Sequence, residues 1–112
     1  MKKIEAIFRA ERLNEVRKAL EDHPYPGVSI SEVIGHGKKD LLEQLWHSKE
    51  HQEELLPYVR LEVVVPNDYV YRIASAIMRT ARTGEDGDGK IFISPVDEVV
   101  RIRDGEEGDD AV

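Results

Sequence analysis

A chain of 112 residues, 40% hydrophobic and 35% charged, is long enough for one soluble domain, spanning 1–112, with a modest core. Its net charge of −7 opposes nucleic-acid binding, and the lack of cysteine excludes disulfides, thiolate metal sites and cysteine nucleophiles. No apolar run approaches the ~20 residues of a membrane span, and Met1-Lys2-Lys3-Ile4-Glu5 lacks the apolar stretch of a signal peptide, so a cytoplasmic protein without membrane insertion is expected.

In chain order, residues 2–8 place Ile4, Ala6 and Phe8 on one face of a strand. Leu13, Val16 and Leu20, with Ala19 beside them, recur at helical spacing and predict an amphipathic helix ending near His23-Pro24. The Pro24-Tyr25-Pro26-Gly27 cluster is a turn, and residues 28–34 then alternate as a second strand. Residues 36–57 form an unusually long connection, a length at which loops are often functional. A third strand covers 59–65, with Val59, Leu61, Val63 and Val65 on one face. Pro66-Asn67-Asp68 supplies a stop and a helix cap, before Val70, Ile73, Ala74, Ile77, Met78 and Ala81 mark a second helix. Ile91-Phe92-Ile93 is a fourth strand, and Val99 to Arg103 a short extended stretch. The order βαβ, long connection, βαβ predicts an α+β, ferredoxin-like fold: a four-stranded antiparallel sheet with both helices on one face.

Between the second helix and the fourth strand lies Thr83-Gly84-Glu85-Asp86-Gly87-Asp88-Gly89-Lys90. Gly84, Gly89 and Lys90 fit part of the G-x4-G-K phosphate-binding pattern. Ile91 stands where that motif needs a metal-binding Ser or Thr, and the loop enters a strand rather than a helix, which argues against a P-loop NTPase. What survives is an anion cradle, in which glycines bring backbone N–H groups close to the ligand and Lys90 adds charge. Arg101 and Arg103, alternating onto one face, make a phosphate fork. The alternative is a flexible turn with two surface arginines.

Ala81-Arg82-Thr83-Gly84, Gly87-Asp88-Gly89-Lys90-Ile91-Phe92, Pro95-Val96, Arg101-Ile102-Arg103 and Gly105-Glu106 resemble PII signal-transduction proteins. Met1 to Ile7, Ser31-Glu32-Val33, Gly35-His36-Gly37 and Val64-Val65-Pro66 are similar too, so the likeness runs over essentially the whole chain. The resemblance implies a homotrimer of ferredoxin-like subunits that binds ATP or ADP between subunits and signals in nitrogen metabolism. It implies regulation of a membrane transporter or metabolic enzyme through the long loop, without catalysis. By position, Gly87, Asp88, Gly89 and Lys90 cradle phosphates, Arg101 and Arg103 reach them from the adjacent subunit, Gly35, Gly37 and Lys38 touch the nucleotide, and Ser29 and Val64 line the base. A role for Mg²⁺ stays open. Three positions depart from the nitrogen-sensing pattern. Lys39 replaces the Gln that coordinates Mg²⁺ and 2-oxoglutarate, Tyr58 replaces a Lys that contacts the oxo acid, and His51 replaces the Tyr that is uridylylated. The resemblance with these departures implies nucleotide sensing without standard 2-oxoglutarate sensing.

Within the loop, Leu41, Leu42, Leu45 and Trp46 make a helical apolar stripe that either anchors a partner or packs on the protein itself. His47 and His51 stand four residues apart, a metal-chelating spacing, and motivate the alternative of a metal-responsive binding protein of the same fold. A slow ATPase finds support only in the glycine-rich loop and Lys90; no clear general base stands beside them, and Glu62, on the strand face opposite Val59, Leu61, Val63 and Val65, is the candidate. The tail at 104–112 holds five carboxylates and no base. It reads as a solvated terminus, although similar tails in the family follow the nucleotide site and order over it.

Overall fold

The computed structural model describes residues 1–24, 27–33 and 58–112. Four strands, β1 (Lys2–Arg9), β2 (Ser29–Val33), β3 (Tyr58–Val65) and β4 (Gly89–Pro95), form one sheet in the order β2-β3-β1-β4. Every pairing is antiparallel. Two helices, α1 (Leu13–Leu20) and α2 (Val70–Ala81), complete the expected ferredoxin-like arrangement.

The register explains the core. Directly opposed residues of antiparallel strands share a face. Pairing Ile4 with Val63, Ala6 with Leu61 and Phe8 with Val59 therefore gathers six apolar side chains on one side of the sheet. All six are buried, and Val16, Leu20, Val70, Ile73 and Ile77 of the helices close over them. The opposite face carries Lys3, Glu5, Ile7 and Arg9 of β1 against Val64, Glu62, Arg60 and Tyr58 of β3.

Local differences from the sequence expectation have local causes. A 3-10 turn over Ala10–Arg12 leads into α1, which stops at Leu20 rather than near His23. There the His23 amide donates to the Leu20 carbonyl at 3.1 Å, a tightened turn ahead of Pro24. The cap expected from Asn67 and Asp68 is not made. Those residues form a 3-10 turn without a side-chain cap, and Asn67 Oδ1 instead accepts from the Met1 ammonium at 3.1 Å. At the far end of α2, Arg12 Nε and Nη2 donate to the Thr80 carbonyl at 2.9 and 2.8 Å. This satisfies one of the carbonyls a helix terminus leaves open and fixes where the chain leaves α2 for the glycine-rich loop.

The edge strands differ from the centre. All seven residues of β4 except Ile91 are exposed, Phe92 at 51% and Ile93 at 42% on opposite faces. Four of five β2 residues are exposed as well, including Ile30. Apolar side chains on both faces of an edge strand are surface that a single chain leaves uncovered.

Candidate functional site

The glycine-rich loop is built on two strand ends. The register sets Arg9, the last residue of β1, opposite Tyr58, the first of β3. Both reach the loop. Arg9 Nη2 donates to the Asp86 carbonyl at 2.6 Å, and Arg9 Nε donates to Asp88 Oδ1 at 3.3 Å. Tyr58, 6% exposed, donates its hydroxyl to the Gly87 carbonyl at 2.8 Å. The flexible turn weighed from sequence is thus replaced by a loop held from below at three points.

Asp88 holds the loop from within. Its carboxylate accepts from the Thr83 amide and the Gly84 amide, each at 2.9 Å, and from the Thr83 hydroxyl. Partial burial pushes the Asp88 carboxyl up, but the hydrogen bonds from Thr83, Gly84 and Arg9 favour the charged form more strongly and hold it at about 2. Asp88 is therefore an anionic strut inside the loop and does not itself present a free cation site. This assigns it a more indirect part than the phosphate contact implied by its motif.

Gly89 and Lys90 begin β4, which is longer than the Ile91–Ile93 core read from the sequence. Gly89 pairs with Phe8 of β1 at φ +109°, and a Cβ there would fall 1.8 Å from the Ile7 carbonyl oxygen. No side chain fits there. Lys90 is exposed beside it. A cleft of about 320 Å³ opens at this corner, lined by Ile7, Met78, Arg82, Asp88, Gly89 and Lys90 among others. Most of that lining is apolar, with Ala6, Phe8, Ile77, Ala81 and Ile91 beside Ile7 and Met78, and Arg82, Asp88 and Lys90 supply its charged groups.

The structure brings Gly87, Asp88, Gly89 and Lys90 together, and it sets Ser29 and Val64 elsewhere. Those two share a second cavity of about 370 Å³ with Lys3, Glu62, Val99 and the C-terminal Val112. Glu62 is paired with Glu5 on β1, whose other partner is Phe92 of β4. It thus stands two strands from Lys90 of the same chain. Arg60 Nε lies 3.1 Å from Glu5 Oε1 without hydrogen-bond geometry, an ion pair that offsets the like charges of Glu5 and Glu62.

Arg101 and Arg103 depart from expectation. Residues 102–104 form a turn instead of an extended stretch, and Val100 bridges to Glu107 across it. The Arg101 amide donates to the Glu106 carbonyl at 2.8 Å, and the Gly105 amide donates back to the Arg101 carbonyl at 2.8 Å. Both arginines meet one carboxylate, with Asp104 Oδ2 at 2.9 Å from Arg101 Nη2 and 3.7 Å from Arg103 Nη2. The hydrogen bond with Asp104 raises the Arg101 value and lowers that of Asp104. The arginines do converge, through a turn around Asp104 and not by strand alternation. The acidic tail is likewise not simply solvated. Gly108–Ala111 form a 3-10 turn, and Ala111 and Val112 are half-buried.

Gly35, Gly37, Lys38, Lys39, Leu42, Leu45, Trp46, His47 and His51 lie outside the described residues. Among the described residues no group of three His, Asp or Glu could hold a metal ion, and no helix is long and apolar enough to cross a membrane. Sequence reasoning missed Arg9. Its contacts span 77 and 79 residues, and a lone arginine at a strand end carries no motif.

Comparison with known proteins agrees with this architecture. The family model for nitrogen regulatory protein P-II matches residues 1–106. Nitrogen regulatory protein P-II of Azospirillum brasilense and that of Haemophilus influenzae are each 45% identical, and nitrogen regulatory protein P-II 1 of Escherichia coli is 44% identical, every match covering the whole of both chains. A sheet of this order, with its glycine-rich loop entering β4 and its identity to these relatives along the full length, makes the chain a member of the P-II family of nitrogen regulatory proteins.

Proposed function

We propose that this regulator binds ATP or ADP with the phosphates at Gly87 to Lys90, in a homotrimer whose subunits share each site. It would act on a membrane transporter or metabolic enzyme through the 36–57 segment, without catalysis of its own. The observation that carries the reading is the glycine-rich loop held by Arg9, Tyr58 and Asp88 beside the exposed Lys90. A loop already ordered loses little entropy on binding phosphate, and its N–H groups and Lys90 supply the electrostatics.

The split of the implied site supports assembly. Ser29 belongs to edge strand β2 and Lys90 to edge strand β4, on opposite sides of the sheet. A head-to-tail ring joins unlike surfaces of neighbouring subunits and closes when the rotation allows. It would bring a base-lining half from one chain to a phosphate-binding half of the next, and cover Phe92 and Ile93.

The replacements Lys39 and Tyr58 support independence from 2-oxoglutarate. Lys39 carries a positive charge where a neutral amide would ligate a cation. The Tyr58 hydroxyl is engaged by Gly87 and offers no ammonium to a carboxylate.

Calorimetric titration with ATP, ADP and AMP, with and without Mg²⁺, tests the reading. Wild-type protein binds ATP or ADP, and Lys90→Ala weakens that binding at least about tenfold, in the range lost when a charged hydrogen-bond donor is removed. Equal binding by both proteins would overturn the site. Added 2-oxoglutarate leaves the isotherms unchanged; a tighter isotherm would restore oxo-acid sensing.

A further inference from the structure

The middle of the glycine-rich loop is a turn at residues 86 and 87, with Gly87 at φ +91°. A positive φ at the third position marks a type II turn, and the middle peptide of such a turn converts to the type I orientation by a single flip. Glycine makes that flip inexpensive because both orientations are sterically open to it. The flip decides what the loop shows a ligand. A peptide is planar and trans, so its C=O and N–H point in opposite directions. A phosphate approaching the loop meets an attractive N–H in one state and a repulsive carbonyl oxygen in the other.

Arg9 sets the state of this middle peptide, and Tyr58 fixes the orientation of the next one, Gly87–Asp88. Arg9 Nη2 donates to the Asp86 carbonyl at 2.6 Å, so the Gly87 N–H faces away from Arg9. The Tyr58 hydroxyl donates to the Gly87 carbonyl at 2.8 Å and keeps that oxygen turned toward the sheet. Arg9 also donates to Asp88 Oδ1, which fixes its guanidinium beneath the turn. Tyr58 is buried, so this donor is held in place by packing and is not a solvated side chain that visits the loop. Arg9 and Tyr58 face each other across β1 and β3, so the two anchors share one register position.

We propose that Tyr58 and Arg9 are positioning residues that lock the Asp86–Gly87–Asp88 peptides with their carbonyls turned inward, keeping the loop in its anion-accepting orientation. The ligand class is a di- or triphosphate. The proposal rests on the nucleotide reading above, but it concerns residues that touch no ligand.

Tyr58→Phe tests it, since the change removes one hydroxyl and keeps the buried ring. Binding of ATP and of inorganic pyrophosphate is measured by calorimetry, and binding of adenosine by NMR titration, in wild type and variant. The variant binds ATP and pyrophosphate roughly three- to tenfold more weakly, the worth of one hydrogen bond. Its adenosine affinity stays at the wild-type value, and the melting temperature moves little. Arg9→Lys gives the same selective loss, because an ammonium cannot hold the Asp86 carbonyl and the Asp88 carboxylate in one planar fork. Wild-type ATP and pyrophosphate affinities in both variants would overturn the positioning role while leaving the nucleotide reading intact. Parallel losses for adenosine and ATP would also overturn it, by reducing the contacts to general stability. Failure of wild-type protein to bind ATP, ADP or pyrophosphate would overturn the nucleotide reading and this proposal with it.

Discussion

The two elements proposed to meet phosphate are organised in opposite ways. The glycine-rich loop is held by the buried sheet, through Arg9, Tyr58 and Gly89. The Arg101–Gly105 turn is held by itself: Arg101 donates from Nε and Nη2 to Asp104, and Asp104 Oδ1 also accepts from the Glu106 amide at 3.1 Å. One element inherits rigidity from the core. The other has local order at an exposed surface, where Arg103 is 81% exposed and salt screens its charge. The difference teaches that, on the proposed reading, the first element is preorganised for phosphate, whereas the second would have to exchange an internal carboxylate for it.

The strongest way to break this contrast is Gly89→Ala. The added Cβ meets the Ile7 carbonyl at 1.8 Å, on backbone that cannot move without parting β1 from β4. The strained φ adds to the clash. Thermal or urea unfolding should show a loss of more than about 2 kcal/mol, with the loop's affinity for phosphate lost as well. A near-neutral change would mean that the loop is not tied to the sheet as described.

Asp88→Asn comes next. It keeps the side-chain size but removes the charge that Thr83, Gly84 and Arg9 satisfy, at a cost of about 1–2 kcal/mol. The same carboxylate gives a pH signature. Its folded-state value of about 2 lies below the ordinary 3.8, so its contribution is complete above about pH 4 and is lost as the pH falls toward 2, where the unfolded chain takes up the proton first. Urea titrations across that window should show a shallower acid dependence in Asp88→Asn than in wild type. Identical slopes would remove the strut.

The smallest effect sharpens the contrast from the other side. Asp104→Asn leaves the turn in place but frees Arg101 and Arg103 from a competing negative charge. Stability should hardly change, since exposed ion pairs contribute little. ATP affinity should rise about two- to fivefold, more at low salt than at high salt. A fall in affinity would mean that Asp104 aims the arginines rather than occupying them.

The fold was largely legible because its signals are local. Alternation at Val59, Leu61, Val63 and Val65, and the helical recurrence from Val70 to Ala81, report which side chains face a core before any partner is known. Boundaries were less legible at α1 and β4, where turn hydrogen bonds and cross-strand pairing decide the ends. Of the site, the motif residues Gly87, Gly89 and Lys90 were visible, and the glycine pattern announced a backbone conformation other residues resist. Arg9 was invisible, and Tyr58 was visible only as a replaced lysine with no partner.

By itself, then, the sequence determined the two βαβ halves, the polar and apolar faces and the presence of a glycine-rich loop, because each follows from side-chain period or from the steric freedom of single residues. Tertiary structure alone decided that Arg9 and Tyr58 grip that loop, that Asp88 braces it, that Arg101 and Arg103 gather on Asp104, and that Val112 lies with Ser29 and Val64. Apart from the turn around Asp104, these contacts join distant parts of the chain or depend on how one side chain turns. Those between distant parts exist only once strand register has set the parts side by side.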